Sequence, residues 1–259
     1  MVDLLHELIA QAGVPALGVI AAGALVGGFI RGFVGFGGAM IVVLAISLTL
    51  GPKIAVAASC LSGLPVMFQL LPTAIRKSER AFVLPFGLAT FVGAPLGAMV
   101  LVALDPAIMK FVIAISVLGM TFLLFKGWRA KQAGSPVFLA GAGATAGFIQ
   151  GMAGVGGPPA VAVALSRSGT TERQRANVIG SITGLNLCTI VPLYLHGLFT
   201  PTVILLSVLI FPVYSGAAWL GARFFGGPGE PLYRNAALAV LALISAVTLL
   251  VSLRDLVGG

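Results

Sequence analysis

The chain has little charge. Only 8% of its 259 residues are Asp, Glu, Lys or Arg, against about a quarter in a soluble domain. The seven acidic residues lie near the ends of apolar runs and never at their centres. Two cysteines and two histidines are too few to predict a disulfide framework, a metal site or a catalytic pair. These absences exclude a water-soluble fold and argue against an enzyme, and no cofactor or metal is expected.

Apolar residues take the place of charge. The hydrophobic share of 59% and the mean hydropathy of +1.11 predict an all-α polytopic membrane protein in a lipid bilayer. A spanning helix needs about 20 apolar residues, and the segments that qualify are 54–74, 81–103, 107–125, 176–195, 201–222 and 233–253. The net charge of +8 comes from basic residues scattered between these runs. That pattern is typical of membrane-flanking charge, so no nucleic-acid partner is expected.

Two further apolar runs, 14–50 and 135–166, are too long for one helix and are interrupted by glycines. "GFIRGFVGFGG" (28–38) and "GFIQGMAGVGG" (147–157) share seven identities in eleven positions at a constant offset of 119. The chain is therefore interpreted as two repeats, residues 1–130 and 131–259. Each repeat is predicted to be a glycine-broken, re-entrant-like helix hairpin followed by three transmembrane helices.

Basic residues distinguish a hairpin from a single crossing at each glycine-broken run. If each run crosses once, seven Lys and Arg residues fall on either side, with Arg31 left out. If each run is a hairpin, eleven fall on one side and only Lys53, Lys110 and Arg254 on the other. The positive-inside rule favours the hairpin. The repeats then have inverted topology, and both termini are expected on the periplasmic side.

The two breaks are the predicted functional site. A helix that restarts at membrane depth exposes unpaired backbone N–H groups and the positive end of its dipole, and such ends bind anions. The second arms, 39–50 and 158–166, are too short to span a bilayer, so their starts must lie within it. For Gly28, Gly32, Gly147 and Gly151 the favoured interpretation is tight helix packing.

Arg31 adds a full charge near this place, and its repeat partner is Gln150. A charge in the membrane interior marks function by default, although Arg31 could instead snorkel or cap nearby carbonyls. Hydroxyl and amide groups of the following spans are further candidates, with helix–helix hydrogen bonding as their alternative role. The predicted substrate-binding residues are Arg31, Gly35, Gly37, Gly38, Gln150, Gly154, Gly156, Gly157, Ser62, Asn177, Ser181 and Thr183.

The paired blocks "GFVGFGGAM…LGPKIAVAAS" and "GMAGVGGPPAVAVALS…RANVIGS" resemble the TauE/SafE sulfite exporter family over nearly the whole chain. The resemblance implies a bacterial inner-membrane transporter of small anions such as sulfite or an organosulfonate, including sulfoacetate. With inverted repeats, the expected mechanism is alternating access around a midplane site. An importer or a channel for another small organic or inorganic anion is the alternative. A homodimer is compatible with the sequence, which does not determine the oligomeric state.

Overall fold

The computed structural model describes residues 13–105 and 135–225, with the isolated positions 108, 115, 122 and 239. Residues 13–105 and 135–225 form eight helices and no strand. The helices are α1 (Val14–Val34), α2 (Gly38–Leu50), α3 (Pro52–Lys77), α4 (Arg80–Ala103), α5 (Pro136–Ala153), α6 (Gly157–Ser166), α7 (Thr171–Leu195) and α8 (Pro201–Phe224). The predicted spans 107–125 and 233–253 lie outside the described residues.

Six of these helices, α1, α3, α4, α5, α7 and α8, are long and apolar enough to cross a membrane. The remaining two, α2 and α6, have 13 and 10 residues. At 1.5 Å per residue they are about 20 and 15 Å long, too short for a hydrocarbon core of about 30 Å. The prediction of an all-α polytopic membrane protein is confirmed. Each glycine-broken run combines one long arm with one short arm.

The start of α7 differs most from the predicted bounds, since this helix begins at Thr171 and not at 176. The Thr170 hydroxyl accepts a hydrogen bond from the Arg173 N–H at 3.3 Å, and Glu172 lies in the first turn. A capping hydroxyl and an early acidic residue both stabilise a helix N-terminus. The polar residues before 176 therefore belong to the helix.

The short arms fold back along the long ones. A methyl group added at Gly27 would lie 2.7 Å from the Gly38 carbonyl oxygen, and one added at Gly23 would lie 3.0 Å from the Ala45 side chain. The earlier residue of α1, Gly23, lies near the later residue of α2, Ala45, so the two helices are antiparallel. In the second half, Gly156 approaches the Ala146 carbonyl in the same way. Both runs are hairpins.

The helix bounds repeat at the offset found in the sequence. The ends of α1 and α5, the starts of α2 and α6, and the starts of α3 and α7 each differ by 119 residues. The equivalent helices α3 and α7 run in opposite directions: Lys77 pairs with Glu172 at one end, and the Cys60 sulfur lies 3.5 Å from the Thr189 hydroxyl further along. In addition, α4 packs along α5, and α8 packs along α1. Each half thus covers the hairpin of the other.

Glycines make these cross-half contacts close. A methyl group added at Gly28 would lie 2.3 Å from the carbonyl oxygen of Tyr214 on α8. One added at Gly32 would lie 1.8 Å from the carbonyl oxygen of Ala218 on the same helix. On α5, methyl groups at Gly147 and Gly151 would meet the α4 backbone at 2.4 and 2.1 Å. These four glycines therefore serve helix packing, and the small-residue face predicted from the sequence is the contact surface.

Gly32→Ala is expected to lower the melting temperature in detergent. The added methyl group forces α1 and α8 apart, and overpacking of this kind costs about 1–3 kcal/mol. Gly18→Ala on the same helix is the matched control, because a methyl group there meets nothing within 4 Å. Equal melting temperatures for the two variants would contradict the packing role.

Candidate functional site

The two breaks face each other across the middle of the molecule. Phe36, in the first break, packs with Val161 of α6 and Ile182 of α7. Its counterpart Val155, in the second break, packs with Met40 of α2 and with α3. Phe36 is 0% exposed and Val155 is 2% exposed. The short helix and the following span of one half therefore enclose the break of the other.

The long arms end in the same way in both halves. Gly35 and Gly154 have φ of +91° and +70°, a left-handed conformation that glycine adopts without a steric penalty. Their N–H groups bond to the carbonyls of Arg31 and Gln150 at 2.9 and 2.8 Å. Both glycines, predicted as loop residues, end the long helices at the break.

Two residues later the two breaks diverge. Gly37 has a φ of +86°, whereas its counterpart Gly156 has a φ of −67°. The side-chain oxygen of Gln150 accepts a hydrogen bond from the Gly156 N–H at 2.8 Å. Arg31, at the equivalent position, has no acceptor and cannot make this bond. Gln150 therefore holds the Gly156 N–H at the second break, and no equivalent bond is described at the first.

The two short helices also differ in the backbone N–H groups at their starts. In α2 the first N–H with an intrahelical partner is that of Met40, which bonds to the Gly37 carbonyl at 3.1 Å. The N–H groups of Gly38 and Ala39 precede it and have no described acceptor. In α6 the Gly156 N–H is taken by Gln150, and Pro158 and Pro159 have no N–H. The Gly157 N–H at the start of α6 also has no described acceptor, so both helix starts keep an N–H group, and the first differs in having Arg31 at the position equivalent to Gln150.

Arg31 lies beside the start of α2. It is only 4% exposed, its Nε has no hydrogen-bond partner, and it forms no ion pair within the described residues. A methyl group at Gly38 would lie 2.7 Å from both the Arg31 Cβ and the Tyr214 hydroxyl. The Arg31 side chain, the Tyr214 hydroxyl and two N–H groups without a described acceptor thus lie near the start of α2, and groups of these kinds can bind an anion.

The predicted polar residues of the spans are engaged within the protein. The hydroxyls of Ser62, Ser181 and Thr183 donate to carbonyls of their own helices, at 3.4, 2.9 and 2.9 Å. The Asn177 amide accepts from the Glu79 backbone N–H at 2.7 Å and donates to its carboxylate at 3.3 Å. Asn177 thus stabilises the start of α4, and no described hydrogen bond joins any of these four residues to Arg31.

Arg175 is a residue whose structural role the sequence did not indicate. Its charge pattern assigned it to the membrane flank, yet it is only 4% exposed. Its Nε and Nη2 donate to the carbonyls of Phe33 and Gly32 at 2.9 and 2.5 Å, and its guanidinium lies 4.1 Å from the Phe225 ring centre. It caps the end of α1, which is the carbonyl-capping role considered for Arg31.

Broken helices in both halves of a polytopic chain, as here, occur in many membrane transporters. The chain belongs to the family described as Sulfite exporter TauE/SafE, whose model matches residues 19–248. It is therefore a membrane transporter of a sulfur-anion exporter family, in agreement with the prediction that it is not an enzyme. No curated protein and no solved structure matches the chain significantly.

Arg175→Ala is expected to lower the melting temperature by much more than Arg173→Ala. The first substitution removes two charge-assisted hydrogen bonds, worth about 1.5–3 kcal/mol each, and leaves the carbonyls at the end of α1 without those donors. Arg173 is exposed on the same turn of α7, so its loss is the matched control. Similar melting curves for the two variants would contradict the capping role of Arg175.

Proposed function

We propose that the protein is a secondary transporter that exports a small sulfur oxyanion, sulfite or an organosulfonate such as sulfoacetate, across the bacterial inner membrane. The observation that carries this proposal is the buried Arg31, whose Nε has no partner. An uncompensated charge inside a protein costs several kcal/mol. A bound anion would supply the missing partner.

The proposed ligands of the anion are the Arg31 guanidinium and the N–H groups of Gly38 and Ala39 at the start of α2. Gly35 and Gly37 shape the turn that presents these donors, since both have positive φ. Gly154, Gly156, Gly157 and Gln150 form the facing break and close it with the Gln150–Gly156 hydrogen bond. The two breaks are therefore assigned unequal roles, the first in binding and the second as the opposite wall.

For the mechanism we propose two inverted-topology repeats, residues 1–130 and 131–259, that move against each other around the breaks. Support comes from the antiparallel pair α3 and α7 and from the exchange of partners between the halves. An anion that leaves a cell with a negative interior gains about 2.3 kcal/mol per charge per 100 mV. Export can therefore run on the membrane potential, with both termini periplasmic.

A polar network joins the two halves at one end of the molecule. Arg167 donates to the Glu79 carboxylate from Nε at 3.0 Å and from Nη2 at 2.6 Å, and Asn177 contacts the same carboxylate. Lys77 and Glu172 form a second ion pair nearby. Glu79 directly precedes α4, and the residue in the same place before α8 is the uncharged Thr200. We propose that the network holds the cytoplasmic end closed.

Glu79→Gln is expected to loosen this closure, because the variant loses the charge that Arg167 and Asn177 contact. Hydrogen–deuterium exchange at 80–84 and 171–177 should rise. Glu172→Gln is the control, since its pair with Lys77 is about half exposed, at 48% and 46%, and exposed pairs contribute only about 0–1 kcal/mol. Unchanged exchange in the Glu79 variant would contradict the proposed closure.

The transport proposal is tested with proteoliposomes that carry an imposed membrane potential and contain sulfite. Wild type should release sulfite at a rate that rises with the potential, Arg31→Gln should lose most of this flux, and Arg31→Lys should keep part of it. Arg223→Gln, which removes an exposed arginine, is the control. Normal sulfite flux through Arg31→Gln would contradict the proposed anion site. A flux that is independent of the membrane potential would contradict export driven by the potential alone. A turnover as fast as that of a channel would favour a pore over a carrier.

A further inference from the structure

The two breaks differ in charge, and this difference restricts the anion. We infer that the site takes a singly charged anion, whose head group is bound by Arg31 and by the hydroxyl of Tyr214. This inference rests on the transport proposal above. The inference names the charge class of the substrate and adds Tyr214 as a residue that determines specificity.

Arg31 is the cation available at the breaks within the described residues. Arg175 is the other buried arginine there, and its guanidinium is engaged by the carbonyls of Gly32 and Phe33 and by the Phe225 ring. Lys53 lies at the end of a helix, where its Nζ donates to the Val102 carbonyl at 3.0 Å. One guanidinium neutralises one negative charge, and the free N–H groups of α2 add partial charge only.

The opposite wall offers neutral donors only, since the Gly157 N–H and the Gln150 side-chain nitrogen, which have no described acceptor, carry no charge. Gln150 neutralises the Gly156 N–H by accepting its hydrogen bond, and Pro158 and Pro159 bring no donors. Phe36 and Val155 fill the space between the breaks with apolar surface. A second negative charge would lie against this surface without a cation, and burial of an unpaired charge is unfavourable. Among the anions proposed above, singly charged hydrogensulfite is therefore favoured, and a dianion such as sulfoacetate is discriminated against.

Tyr214 supplies a neutral donor at the right place. It is 2% exposed, its hydroxyl lies beside Gly38, and that hydroxyl makes no hydrogen bond with any described residue. It reaches the first break from α8, so the second half contributes a ligand to a site that is otherwise built by the first. Its counterpart on α4 is Thr90, whose backbone meets Gly147 as that of Tyr214 meets Gly28, and the Thr90 hydroxyl donates to the Gly87 carbonyl at 2.6 Å. The second break has no such phenol, which adds to the asymmetry.

The experiment measures thermal stabilisation of the full chain in detergent at fixed pH and ionic strength. The probes are methanesulfonate and acetate as monoanions, and sulfate and sulfoacetate as dianions. Methanesulfonate should half-saturate at a concentration at least about tenfold lower than either dianion, since the second charge is unpaired. In Tyr214→Phe the half-saturating concentration of methanesulfonate should rise by about tenfold, the loss of affinity expected for one hydrogen bond. Tyr194→Phe, at a 69% exposed tyrosine, should leave it unchanged.

The outcomes separate the two proposals. If sulfate or sulfoacetate binds as tightly as methanesulfonate while Arg31→Gln abolishes binding, the inference of a single charge is wrong and the anion site stands. If Tyr214→Phe binds methanesulfonate like wild type, the role of Tyr214 is wrong. If no anion stabilises the chain, or Arg31→Gln responds like wild type, the transport site itself fails. The charge preference is measured on the wild-type chain, so it does not depend on the folding of any variant.

Discussion

The burial of one unpaired guanidinium beside a helix start is the constraint from which the proposed function follows. In a bilayer, the backbone groups freed by a broken helix need partners inside the protein. At the second break Gln150 supplies one by accepting the Gly156 N–H at 2.8 Å. At the first break Arg31 cannot do so, and Arg175 from the other half caps the end of α1. In the proposed function, the N–H groups at the start of α2 and the Arg31 guanidinium bind the anion.

The packing between the halves positions this site. Long helices approach each other closely because Gly28, Gly32, Gly147 and Gly151 present no side chain at the contact. Since α8 lies along α1, Tyr214 of the second half reaches the first break. A relative movement of the halves would therefore change the anion's ligands, and this couples binding to alternating access in the proposed mechanism. The Glu79–Arg167 ion pair, at 2.6 Å, joins the halves at one end only.

The sequence predicted the helices and the breaks well, because both depend on local composition. The runs of apolar residues gave four of the long helices to within a few residues, and the duplicated glycines marked both breaks. Contacts between residues that lie far apart in the sequence were not predicted. The capping role of Arg175 depends on carbonyls more than 140 residues away along the chain, and the engagement of Asn177 by Glu79 needs α4 and α7 side by side. The inequality of the breaks was visible as Arg31 against Gln150, but its consequence for Gly156 required the backbone.

The location of the anion tests this account most directly. Crystals of the wild-type chain grown with a selenium analogue of the substrate, such as selenite, would show the anion by anomalous scattering. The account predicts one principal peak within hydrogen-bond distance of the Arg31 guanidinium and the Gly38 N–H. A peak at the second break, beside Gln150 and Gly157, or equal peaks at both breaks, would contradict it.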